Sequence, residues 1–228
     1  MGTNFEEIYC LNSAIEKDLA MARLPIYQYY SLMYKQLLFS ITEFIYDCEK
    51  KISEFTPYTE NEYSFIGDGI NPSFNITPSP DIQNTMIYVG IFDEDYSVYV
   101  EMYDFTYDDI NHILTFDNIP EKDSKIVISF YNIGEFVDVL DIEEKVILAE
   151  GMNIPYLERF QNNTRSLIQG AFTNSYKYHS QAEQIKQLKE LTLTQWRERV
   201  DDLIKKYSYR KPNDGLVKLA ARGRPYGN

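Results

Sequence analysis

A chain of 228 residues has room for one large domain or two small ones, and with 44% hydrophobic and 25% charged residues it can bury a core. No run approaches the ~20 continuous apolar residues of a membrane span, and the acidic, amphipathic start predicts no secretory leader and synthesis in a cytoplasm. Two cysteines argue against a disulfide framework, and a net charge of −13 argues against a body built to grip nucleic acid.

In chain order, Thr3-Asn4-Phe5-Glu6 has the spacing of a capping box. Phe5, Ile8, Leu11, Ile15, Leu19 and Ala22 follow at steps of three or four, which predicts an amphipathic helix with Cys10 among its core positions. Pro25 suits the first turn of a second helix. An apolar stripe through Tyr30, Leu37, Ile41, Phe44, Cys48 and Ile52 predicts that this helix is long. Residues 56–85 hold four prolines and two glycines and read as an irregular connection of the kind that packs on a partner.

The period then changes. The run from Met86 to Phe92, the alternation from Tyr96 to Tyr103, and the runs His112–Phe116, Lys125–Tyr131 and Gly134–Val139 predict strands. Acidic turns separate them, so residues 86–139 read as an inserted small antiparallel sheet or sandwich. Helical signals return at Asp141-Ile142-Glu143-Glu144, another capping box, with Gly151 as a left-handed stop. Asn153-Ile154-Pro155 opens the next helix. A last long helix carries Leu188, Leu191, Trp196, Val200, Leu203 and Tyr207, and Lys211-Pro212 ends it. The expected fold is therefore α+β. Residues 1–55 and 140–210 form a bundle of long helices, 86–139 an inserted β domain and 211–228 an extended C-terminal arm.

The residues that would carry chemistry are sparse. Only His112 and His179 are present, neither at metal-ligand spacing from another ligand, and no phosphate loop, HExxH or GxSxG pattern appears. No cofactor, metal or catalytic residue is expected. The carboxylates of the turns, Asp93 and Asp108 among them, are the oxygen ligands calcium takes, yet no EF-hand spacing is present and turns favour Asp for their own reasons. The 20 tyrosines and 13 phenylalanines against one tryptophan suit extensive subunit contacts, although an AT-rich genome enriches the same residues.

Charge is uneven along the chain. From residue 203 onward seven cations face Asp214 alone, a net +6, which leaves −19 for the rest. Leu216, Val217, Leu219 and Tyr226 give this polar tail apolar anchors. Arg210, Lys211, Lys218, Arg222 and Arg224 give it cations for an acidic partner.

The stretch from Asp141 to Met152 resembles the helix-plus-glycine segment of the head-to-tail connector proteins of podoviruses. The run from Leu188 through Trp196-Arg197-Glu198-Arg199-Val200 to Tyr209 resembles their long helix before a C-terminal arm, and the whole layout is similar to a portal-proximal ring protein of crAss-like phages. The resemblance covers about the last 90 residues; the β block is an insertion that small adaptors lack. It implies a structural, non-enzymatic virion protein at the head-tail junction. Twelve copies would form a ring through which DNA passes without sequence-specific binding. The arm residues Arg210 to Tyr226 named above would dock on the portal protein, with tail or further ring proteins below. The alternatives are a carbohydrate-binding or adhesion module built on the β block, or another tail or baseplate structural protein.

Overall fold

The computed structural model describes residues 2–12, 24–48, 50–77, 85–158 and 176–210, with side chains of the last range described from residue 190. The expected bundle of long helices is not what forms. The fold is mixed and mostly β, with ten strands in three antiparallel sheets among the described residues. The chain divides into two compact units. The first gathers residues 1–17, 35–55 and 135–228, and the second residues 18–34 and 56–134.

In the second unit, β3 (Thr59–Ile66), β9 (Lys125–Asn132), β5 (Met86–Asp93) and β6 (Val98–Glu101) form a four-stranded sheet in that order. A three-stranded sheet is ordered β4 (Ser73–Asn75), β8 (Ile113–Phe116), β7 (Phe105–Asp108). Strand residues alternate between faces. Val89, Ile126, Ile128 and Phe130 from the first sheet pack with Leu114 and Phe116 from the second into one apolar core. The opposite face of the four-stranded sheet carries Tyr88, Val127, Ser129 and Tyr131, all buried. The opening turns of helix α2 (Ile26–Phe44) account for this burial. Tyr27 stacks at 5.2 Å on Tyr88, Tyr30 at 6.0 Å on Tyr131 and Tyr34 at 5.9 Å on Tyr58. The Tyr27 hydroxyl donates to Glu62 at 2.6 Å, and burial with that carboxylate raises its pKa well above the ordinary tyrosine value. Gly90 lies under the Tyr88 ring, where a Cβ would sit 2.7 Å from the ring's hydroxyl oxygen. The tyrosine excess is thus partly a helix-on-sheet ladder, in which the rings bury their bodies while the Tyr27 and Tyr58 hydroxyls stay hydrogen-bonded.

The expected irregular connection at 56–85 is corrected most sharply. It holds β3 and β4, and β3 pairs with β9 along its whole length, from Thr59 opposite Asn132 to Ile66 opposite Lys125. Its sequence Thr-Glu-Asn-Glu-Tyr-Ser-Phe-Ile alternates only in its second half, because an edge strand tolerates a polar first half. The strand expected from His112 starts one residue later. His112 itself takes φ 55° in the preceding turn, a conformation histidine visits more readily than most residues.

In the first unit, β1 (Thr3–Asn4), β10 (Glu135–Phe136) and β2 (Phe55–Thr56) make a small sheet ordered β1-β10-β2. Phe5, Phe55 and Phe136 meet edge to face at 4.8–6.0 Å. Helix α1 runs only from Phe5 to Tyr9, so the long first helix is also corrected. Ile15, Leu19 and Ala22 lie outside the described residues. Asn4, not Thr3, caps α1 by accepting from Glu6 N, while the Thr3 hydroxyl accepts from Leu140 N at 2.7 Å. Cys10 is exposed just past α1 rather than in a core.

Helix α3 (Ile142–Gly151) opens with the expected capping box, in which Asp141 and Glu144 exchange both hydrogen bonds. Gly151 is not a left-handed stop. It sits inside α3, where a Cβ would fall 2.2 Å from Ser40 Oγ, and the Ser40 hydroxyl donates to Leu148 O at 2.7 Å. The glycine is needed for that close approach to α2. Helical backbone resumes at 153–158, and helix α4 runs from Tyr176 to Arg210. Val200, Ile204 and Tyr207 bury the end of α4, with the Tyr207 ring 5.2 Å from Phe44.

Candidate interaction surfaces

The surfaces of interest follow from the strand directions of the second unit. β3 ends, β5 ends and β9 begins at one edge, as the pairings Ile66 to Lys125 and Ile91 to Ile126 show. The connections 67–72 and 117–124 and the β5–β6 turn therefore share one end of the four-stranded sheet. The two longer connections lie side by side: Gly67 N donates to Ser124 O, and Asp123 N to Gly67 O at 2.8 Å. Asp68 Oδ1 accepts from Ile70 N and Asn71 N, and Asp93 Oδ1 from Asp95 N and Tyr96 N. Each acid closes its own turn. The amides of Asn71 and Ile70 hold the Asp68 carboxyl below its usual value.

Large apolar side chains stand out from this scaffold into solvent. Ile66 is 69% exposed, Ile70 79%, Tyr96 77% and Ile119 52%. Residues 67–72, 93–97 and 117–125 carry seven carboxylates against Lys122 and Lys125, a net charge of −5. We call this end of the second unit the tip.

A second exposed apolar group surrounds the end of α4 in the first unit. Ser208 Oγ donates to Asp47 at 3.0 Å, and Arg210 Nη1 pairs with Glu143 at 3.1 Å. Tyr46, Ile142 and Tyr209, the sequence neighbours of these partners, are exposed by 84%, 66% and 72%. Lys205, Lys206 and Arg210 are exposed there, balanced by Asp47, Glu143 and Asp202 beside them. Cations at a helix C-terminus also answer the helix dipole.

Beneath this second surface lies a buried carboxylate. Glu144 is fully buried; Tyr207 donates to it at 2.6 Å, Asp141 N at 2.8 Å and Lys50 Nζ pairs at 2.9 Å. Burial alone would push its pKa up. The Tyr207 hydroxyl, the Asp141 amide and Lys50 together outweigh burial and hold it below the ordinary value. The arrangement pins α4 to the start of α3.

Of the arm residues expected to meet a partner, the described part includes Arg210, at the exposed end of α4. Lys211, Leu216, Val217, Lys218, Leu219, Arg222, Arg224 and Tyr226 lie outside the described residues. His112 Nδ1 lies 3.3 Å from the Tyr107 hydroxyl, and the His179 side chain lies outside the described ones. Among the described residues no three His, Cys, Asp or Glu side chains gather as metal ligands. No described helix is long and apolar enough to cross a membrane. Comparison with protein-family models, curated proteins and solved structures finds no match.

The exposed isoleucines and Tyr46 were missed in the sequence. A signal existed: Ile70, Ile110 and Ile119 each stand alone inside an Asp- or Asn-rich turn, where local folding has no use for them.

Proposed function

We propose that the chain is a structural subunit of a viral head-to-tail connector ring, assembled from copies of itself and docked on the portal through residues 211–228. The observation that carries this reading is the firm root of a basic arm. The last turns of α4 are held by buried Val200, Ile204 and Tyr207 and by the Glu144 network, and from residue 203 to the end of the sequence the charge turns from acidic to +6. A helix of 35 residues is about 50 Å long, a suitable strut for presenting a segment at a distance. The likeness of α3 and α4 in sequence to podovirus connectors supports the specific form, and the exposed apolar side chains on both units suit a protein that works in an assembly.

Docking an extended arm costs about 1–2 kcal/mol of backbone entropy per ordered residue. Leu216, Val217, Leu219 and Tyr226 must therefore bury well, and repetition around a ring adds avidity. Deleting residues 212–228 tests this. The truncated chain is expected to keep its far-ultraviolet circular dichroism and to lose retention on portal-bearing heads at least tenfold. Undiminished retention of the truncated chain contradicts the docking role.

A further inference from the structure

We infer that Val137, Val139 and Ile142 form a seat for this chain's own residues 216–219, which stores the arm against the first unit until a partner draws it away. The seat stands without the ring reading; its release onto a portal rests on that reading.

The segment from Glu135 to Leu140 turns alternate side chains in and out, with Phe136 and Leu140 buried and Val137 and Val139 63% and 62% exposed. Ile142, at the start of α3, adds a third exposed apolar side chain. The backbone beneath them is tied down. Val137 N donates to Glu54 O at 3.1 Å, Lys51 N to Asp138 at 2.8 Å and Lys50 Nζ to Val139 O at 2.7 Å. The surface is therefore preformed, and little ordering entropy is lost on its side when a segment lands there.

The place where the arm begins, its sequence and its charge name it as that segment. Arg210 is held at 3.1 Å to Glu143, the residue after Ile142, so the chain leaves α4 beside the seat. Pro212-Asn213-Asp214-Gly215 is turn chemistry, and the apolar run Leu216-Val217-Lys218-Leu219 follows it. From Arg210 to Leu216 the chain reaches no further than about 20 Å, which gives that run a high effective concentration at the seat. The cations at the end of α4 are balanced by Asp47, Glu143 and Asp202, and Lys145 is balanced by Glu7. Around the seat that leaves Glu54, Glu135, Asp138, Asp141 and Glu144 against Lys50 and Lys51, a net charge of −3. Residues 211–228 carry Lys211, Lys218, Arg222 and Arg224 against Asp214, a net charge of +3. Exposed Glu135, two positions before Val137 and on the same side, is the carboxylate for Lys218 to meet.

Hydrogen exchange of the full-length chain tests the seat. Amides of residues 216–219 are expected to exchange at least tenfold more slowly than in a synthetic peptide of residues 211–228, by a factor that does not change with protein concentration. Val137→Ser with Val139→Ser is expected to abolish that protection. Both side chains are exposed, so thermal melts of this variant should match the parent. Because a seated arm is withheld from other partners, the variant is also expected to be retained on portal-bearing heads more tightly than the parent, by the factor of protection it loses. Arm amides that exchange at the peptide rate in the parent overturn the proposal. So do protection that survives in the variant, protection that grows with protein concentration, and equal retention of the two chains. Protection lost as expected, with neither chain retained on portal-bearing heads, supports the seat and overturns the portal docking instead.

Discussion

Replacing Glu144 by alanine is expected to cost about 3–5 kcal/mol, the range for removing one partner of a buried ion pair. The carboxylate has no solvent exposure and serves Tyr207, Asp141 N and Lys50 at once, with the Cys48 thiol at 3.9 Å. Lys50 retains Val139 O at 2.7 Å, but the Asp141 amide loses its reciprocal cap and the Tyr207 hydroxyl loses its acceptor. Because Tyr207 packs on Phe44, the loss should reach α2 and α4 as well as α3. Glu144→Gln, which keeps the shape and part of the hydrogen bonding, should lose less. The pH dependence has a definite sign. A carboxyl whose folded pKa is depressed stabilises the fold fully above its ordinary value of 4.5, and that contribution is lost as pH falls through the lower folded value. Urea unfolding across that window should show the parent losing stability toward acid more steeply than Glu144→Gln.

Phe130→Ala should cost about 3–5 kcal/mol in the second unit, the range for emptying a large aromatic site in a packed core. Phe130 is buried on the central strand β9, with its ring 4.9 Å from Tyr107 of the other sheet and 6.0 Å, edge to face, from Tyr63. Neither ring can follow into the gap without leaving its strand position, so the cavity should persist. Tyr96→Ala, at a site 77% exposed, should change stability by no more than about 0.5 kcal/mol. Urea unfolding monitored by hydrogen exchange of the β9 amides separates the two outcomes. Equal protection in both variants would mean that Phe130 is not a core residue.

Strands β5 and β9 are legible in the sequence because they are apolar on both faces. The cap at Asp141 is legible because it is completed within three residues. What was not legible depends on distant partners. The Thr3 hydroxyl serves Leu140, 137 positions away, so its capping pattern led nowhere. Gly151 answers Ser40 across a helix contact rather than its own helix end. The stripe was read correctly as buried as far as Phe44, but α2 ends there, short of Cys48 and Ile52, and periodicity shows that a face is covered and not by what. Tyr27, Tyr30 and Tyr34 meet a sheet, and the inferred bundle failed on that point. The polar half of β3 hid a strand whose partner lies about 65 residues on. Of the interaction residues, the tail cations were visible as a charge run. The tip isoleucines were overlooked because each is a single apolar residue in a turn.

The connector reading is tested most directly by electron cryo-microscopy of portal-bearing heads loaded with the full chain. It predicts a closed cyclic layer of twelve copies directly beneath the portal, with density for residues 211–228 running from the end of α4 onto portal subunits. Heads that bind no such layer, or bind the chain with its C-terminal residues directed away from the portal, would contradict it.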